Sequence, residues 1–177
     1  MNDRNGYIVL DFETTGLPYE DPEVLQVSVI NDKGETLMSG YCRPERATSW
    51  EEAQAIHGIS PEMVKDCPTF LEGYLPKLLE LIESVAAVVA YNAAFEREVL
   101  RNYDAEPVTA FIDPMLMFAE VYGEWNDYFQ DYRWQTLNTA ASYYGYEFKA
   151  HDALEDVKAT QYIYEKMIES GVPAIMI

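Results

Sequence analysis

The chain has 177 residues, which suits one domain able to bury a full core, read here as residues 1–177. A hydrophobic content of 49% with 14% aromatic residues excludes a disordered chain, and the longest apolar run, near Val85 to Ala90, is too short to span a membrane. Twelve basic against 31 acidic residues give a net charge of −19, which excludes a broad basic face for gripping a long duplex.

The elements follow in chain order. Met1-Asn-Asp-Arg-Asn5 lacks the basic and apolar regions of a signal peptide, so no leader is expected. An apolar run predicts a strand over Tyr7–Glu13. Strands over Val24–Asn31 and Thr36–Cys42 flank Asp32-Lys-Gly-Glu35, a hairpin signal. Ser49-Trp-Glu-Glu52 has the pattern of a capping box opening a short helix that stops at Gly58. Ser60-Pro61 starts another. Helical periodicity covers Phe70–Glu83, a strand follows over Val85–Tyr91, and Glu96–Tyr103 is helical. Phe111–Asp113 reads as a short strand. Met115–Tyr122, Gln135–Tyr144 and Asp152–Ser170 read as helices. Cys42 and Cys67 lack metal-type spacing and read as reduced thiols, which suits a cytoplasmic protein. The order predicts a mixed sheet, an antiparallel hairpin plus parallel strands, with helices on both faces.

Asp11 and Glu13 stand at the end of the first strand, two apart and therefore on one face. Two carboxylates facing one place repel unless a cation sits between them. Alone, the same residues also describe a strand end with two solvated acids before a Thr-Thr-Gly turn. Two further segments narrow the choice. Tyr91-Asn92-Ala-Ala-Phe95-Glu96 follows the middle strand, and His151-Asp-Ala153-Leu-Glu-Asp156 opens the last helix. Together with Asp11-Phe-Glu13-Thr-Thr-Gly16, they resemble the DEDDh (DnaQ-like) 3′–5′ exonucleases. Glu52-Ala-Gln-Ala-Ile56-His57-Gly58-Ile59, Ile112-Asp113, Leu137 and Tyr144-Gly145 extend the resemblance over roughly residues 7 to 166.

The resemblance implies a ribonuclease H-like fold and hydrolysis at the 3′ end of nucleic acid, releasing 5′-mononucleotides. It implies two divalent ions, Mg²⁺ or Mn²⁺, held by Asp11, Glu13 and Asp156, with Glu96 as the outer acid and Asp11 bridging. His151 is implied as general base toward the attacking water, a task that suits an imidazole near neutral pH. Substrate contacts are expected from Thr14, Thr15, Gly16, Leu17, Glu52 and His57, with Asn92 holding the loop around the middle motif. Phe12 is a second candidate, beside Leu17, for bracketing the terminal base. For His57-Gly58 a helix C-cap fits as well. Phe95 reads as core packing. Arg97, Arg101 and Lys149 are candidates for phosphate contacts, although pairing with surface carboxylates suits each equally. Single-stranded DNA is the favoured substrate, with RNA left open. Some members of the family are dimers, so a homodimer stays open. The chain ends seven residues after Ser170, so no polymerase-binding tail is expected.

Two positions depart from the family pattern. Glu96 stands where the family has Asp, adding one C–C bond of about 1.5 Å. Tyr91 stands where it has His. These departures, with the −19 charge, keep open a second reading as a catalytically weakened binding module on the same fold. Residues 123–134 hold Trp125, Tyr128, Phe129, Tyr132 and Trp134, unusually aromatic for a connection. Such a cluster packs over the domain or forms a subunit interface more often than it stacks unpaired bases.

Overall fold

The computed structural model describes residues 5–177. The start that reads as lacking a leader therefore lies largely outside the described residues. Strands β1 (Tyr7–Thr14), β2 (Val24–Asn31), β3 (Thr36–Tyr41), β4 (Ala87–Val89) and β5 (Ala110–Ile112) form one sheet in the order β3-β2-β1-β4-β5. β1 runs antiparallel to β2, and β2 to β3, whereas β4 is parallel to both β1 and β5. This is the expected mixed sheet.

Alternation along β1 sorts the two faces. Ile8, Leu10 and Phe12 point into a core with Val27, Val29 and Val88. Three helices cover that side: α3 (Phe70–Gly73), α4 (Leu75–Ser84) and α5 (Ala93–Arg101). Val9 points the other way, into a core with Ile30, Val89 and Ile112. There the cover is α6 (Pro114–Tyr122), α7 (Leu137–Tyr143) and α8 (Ala153–Glu169). Asp11 and Glu13 continue the Val9 face toward α8. The register of β1 against β2 shifts just after Glu13, a bulge of the kind that re-aims side chains beside active sites.

The short helices α1 (Glu51–His57) and α2 (Pro61–Val64) sit over a smaller core of Leu25, Trp50, Ile59 and Val64. The Ser49 capping box does not form. Trp50 is the N-cap and makes no side-chain cap. Its indole is buried, with Nε1–H donating to the Ile59 carbonyl at 2.7 Å, so that anchor sets where the helix begins. Gly58 closes α1 at φ 76°, a left-handed geometry that a Cβ would strain. The predicted helix over Phe70–Glu83 breaks at Tyr74 into α3 and α4. Pro76 lacks the N–H needed to continue the ladder, and its ring crowds the carbonyl four residues back.

The segment 123–134 is a small hairpin, β6 (Trp125–Asn126) with β7 (Asp131–Tyr132), rather than a plain connection. Both cysteines are free. Among the described residues no helix is long and apolar enough to cross a membrane.

Candidate active site

β1 and β4 are parallel neighbours, so their carboxyl ends open on the same side of the sheet. Ligand sites in such sheets form outside those ends. Asp11 and Glu13 arrive there on β1. Asp156 arrives on the first turn of α8 and Glu96 on the first turn of α5. One ligand atom each from Glu13, His151 and Asp156 lies within 4.8 Å of the others. Asp11 and Glu96 stand beside that trio and complete a cluster of four carboxylates.

The electrostatics follow from packing like charges where water is scarce. Burial first, then Glu96, Glu13, Asp156 and Asp152, holds the Asp11 carboxyl well above its ordinary range. Burial and the charges of Asp156 and Asp152 push Glu13 up to about 8. Burial pushes Asp156 up to about 7, against a backbone hydrogen bond from His151 and with Asp152 and Glu155 adding to the rise. Glu96 is raised by burial and by Asp113 and Glu13. Glu96 Oε2 and Asp156 Oδ1 are buried without a hydrogen-bond partner. Orphaned buried carboxylate oxygens are costly in a folded protein. Hard oxygen donors, mutual repulsion and unpartnered oxygens together fit a divalent cation.

Each acid is aimed by a neighbouring element. Asp113, almost wholly buried, accepts from the backbone N–H groups of Asn92 at 3.1 Å, Ala93 at 2.9 Å and Met115 at 2.9 Å. It thereby ties the start of α5, and so Glu96, to the start of α6. Asn92 caps α5 at φ 67°. His151 is exposed and also has φ 67°, and its N–H donates to Asp156 Oδ2 at 3.1 Å. The helix cap is Asp152, whose carboxylate accepts from Leu154 N–H, which leaves the His151 ring free of a capping role. Gln26 on β2 accepts from Ala153 N–H at 3.3 Å and fixes the first turn of α8.

Beside the carboxylates lies a cleft of about 640 Å³. Six predicted substrate residues line it: Thr14, Thr15, Gly16, Leu17, Glu52 and His57. Their polar groups are partly engaged already. Thr14 Oγ1 donates to the Gly16 carbonyl at 2.7 Å, Thr15 Oγ1 accepts from Glu23 N–H at 2.9 Å, and Leu17 N–H donates to Glu20 at 2.8 Å. His57 Nδ1 accepts from Ile59 N–H at 3.0 Å, so a neutral ring directs its Nε2–H to the Thr14 carbonyl at 3.1 Å. Burial lowers the His57 pKa and favours that neutral form. Leu17 is half exposed, while Phe12 is buried edge-on to Phe70. Phe95 both packs on the core and lines the cleft. Asn92 is not part of the cleft lining; it acts at the α5 cap.

Lys149 lines a cavity with His57, His151 and Gln26. Arg97 and Arg101 instead flank a shallow hollow with Ala105, Glu106 and Pro107, to which none of Asp11, Glu13, Glu96 and Asp156 contributes. Arg101 pairs with Glu98 at 2.8 Å, and Arg97 sits over the Phe111 ring. Tyr91 donates its O–H to the Gln135 carbonyl at 2.8 Å, a packing and bonding role. Sequence reasoning missed Gln26 and Asp152. Gln26 had a signal, as a polar residue inside the apolar run Val24–Ile30, and Asp152 is a helix-opening Asp.

The family model for exonucleases of the RNase T type matches residues 8–164. The chain belongs to this exonuclease family. It is 30% identical over 179 residues to the uncharacterized exonuclease CP81 of Escherichia phage 186, covering 93% of this chain and 89% of that protein. It is 29% identical over 167 residues to a PolC-type DNA polymerase III of Caldanaerobacter subterraneus subsp. tengcongensis, where the match spans 12% of the polymerase. The fold matches exonuclease X in complex with 5′ overhanging duplex DNA, with TM-score 0.68, 25% identity and 95% of each chain covered. It also matches the nuclease domain of 3′hExo, a DEDDh family member bound to rAMP, with TM-score 0.72, 16% identity and 99% and 97% of the chains covered. The DEDDh and ribonuclease H-like readings therefore hold, and the chain is a hydrolase of the exonuclease family.

Proposed function

We propose that residues 1–177 form a single 3′–5′ exonuclease domain that removes nucleotides from the 3′ end of single-stranded DNA. The supporting observation is the cluster of Asp11, Glu13, Glu96 and Asp156, with two unpartnered buried oxygens, beside an exposed His151. The four carboxylates would hold two ions, Mg²⁺ or Mn²⁺. Bound divalent ions supply water activation and neutralisation of charge on the attacking and leaving oxygens. His151 takes the proton of the attacking water, and its backbone N–H on Asp156 Oδ2 keeps it next to that carboxylate. Leu17 and Phe95 flank the terminal base in the cleft, and Glu52 projects into the same space. His57, Thr14 and Thr15 hold the turn that shapes the cleft, through the bonds given above. Lys149 supplies a cation beside His151 for a phosphate.

The test is a gel time course on 5′-labelled single-stranded DNA and RNA of matched sequence, with Mg²⁺, Mn²⁺ or chelator. A metal-dependent ladder shortening from the 3′ end is expected, faster on DNA. Endonucleolytic fragments, or an unchanged ladder in chelator, would overturn the reading. The binding-module alternative draws on Glu96 and Tyr91. It predicts no turnover in either metal for the native chain and none for Glu96→Asp.

A further inference from the structure

We propose that the β6–β7 hairpin is a docking surface for a cationic protein segment, one carrying arginine or lysine beside apolar side chains. The hairpin is ordered by its own bonds. Asn126 Oδ1 accepts from Tyr128 N–H at 3.0 Å and Phe129 N–H at 3.3 Å, and Trp125 packs edge-on to Tyr132 at 5.2 Å. A two-stranded hairpin standing alone is marginal in water, and exposing its apolar residues gains it nothing. Yet Tyr128 is 87% exposed, Phe129 72% and Trp134 64%. All three lie outside the core clusters. Phe129, Tyr132 and Trp134 line a cavity of about 610 Å³ whose polar rim includes Asp131 and Arg133. Large aromatics around a concave surface are the usual anchors of a protein interface.

Charge selects the occupant. Glu120, Glu124, Asp127 and Asp131 are all exposed in the segment that carries the aromatics, Asp131 lines the cavity itself, and the one cation in residues 120–134, Arg133, pairs with Glu124 at 3.5 Å. A nucleic acid would bring phosphates against those acids. A second copy would bring the same acidic surface on a chain of net charge −19. A cationic segment meets both features, since guanidinium and ammonium groups favour indole and phenol faces as well as carboxylates. The surface also has a fixed link to the rest of the molecule. Gln135, the residue after Trp134, accepts the Tyr91 O–H, and Tyr91 directly precedes the Asn92 cap of α5. The inference does not depend on the catalytic reading.

The test titrates a synthetic peptide of alternating Arg and Leu, and its Glu-for-Arg counterpart, into the full chain. Calorimetry and tryptophan fluorescence report binding. Two hairpin variants, Asp127→Asn with Asp131→Asn and Phe129→Ala with Trp134→Ala, are set against Glu80→Gln with Glu83→Gln on α4. That last pair removes the same charge from another exposed place. One-to-one binding of the Arg peptide is expected, weakened about tenfold or more by either hairpin variant and less than about twofold by the α4 pair. Equal weakening by all three, or equal binding of the Glu peptide, would reduce the attraction to overall charge and overturn the proposal. Displacement of the peptide by a single-stranded oligonucleotide, or a doubled mass at micromolar protein, would assign the hairpin to nucleic acid or to a second copy instead.

Discussion

The carboxylate cluster and the β6–β7 hairpin are both acidic, and they differ in what accompanies the acids. At the cluster the acids are partly or wholly withdrawn from water, and two of their oxygens lack partners. At the hairpin the acids are exposed and share their segment with exposed aromatics. Burial makes a charge specific. A carboxylate that water can reach is solvated and weakly selective, whereas one pushed into a dry site beside its own kind needs a cation or a proton. The first region therefore suits a small hard ion, and the second a large amphipathic partner.

The largest expected effect comes from removing the acids of the first region. Asp11→Ala and Asp156→Ala should each lower exonuclease rate by more than about a hundredfold, since even outer partners of metal ligands cost 10–100-fold. A gel assay against the native chain checks this, and either variant retaining native rate would break the cluster's assignment.

The pH dependence of stability is the next effect. Glu13 is pushed up to about 8 and Asp156 to about 7, from ordinary carboxylate values near 4. Above its unfolded pKa, each group binds more protons folded than unfolded, so stability falls as pH rises. The window runs from about pH 4 up to pH 8. In chelator the melting temperature should therefore drop across that window. Mg²⁺ or Mn²⁺ should restore it at the upper end by replacing the protons. A melting series in which the ions give the same increment at pH 5 and pH 8 would count against a shared proton and metal site.

Much of this first region was legible in the sequence, because strand alternation alone puts Asp11 and Glu13 on one face. The three motifs in order also supplied Glu96, His151 and Asp156. What sequence did not display were the groups that aim them. Gln26 is a buried polar residue lining the cavity beside His151, its partner lies 127 positions away, and local patterning carries no information on such a pair. The hairpin was illegible for a related reason. Its strands are two residues each, too short for alternation to register. The break at Tyr74 was written in Pro76, but the apolar periodicity continues across it. The Ser49 cap failed because burial of Trp50, a tertiary demand, outranks a local cap.

Gln26→Ala probes the hidden support of the cluster. It leaves Ala153 N–H unpaired in a buried place, at a cost of about 1–3 kcal/mol. The first turn of α8 would then hold Asp156 and the His151 loop less firmly, and catalytic rate should fall by about tenfold, less than for the acids themselves. Gln26→Glu keeps an acceptor and should recover stability at low pH while adding charge to the cluster at high pH. Melting curves and rates measured together would separate the two contributions.

The smallest expected effect belongs to the second region. Trp134→Ala removes a large side chain, and in a core that would cost about 3–5 kcal/mol. Here Trp134 is 64% exposed, and among the described residues it belongs to no core cluster. The change in unfolding free energy should therefore stay within about 0.5 kcal/mol, the range of ordinary surface substitutions. Denaturant titration of the free chain checks it. A loss of several kcal/mol would mean the indole packs on the domain in solution, and the contrast between a buried acidic site and an open aromatic one would disappear. A near-zero change leaves the aromatic area without a role in the free chain's stability, which is what a surface kept for a partner requires.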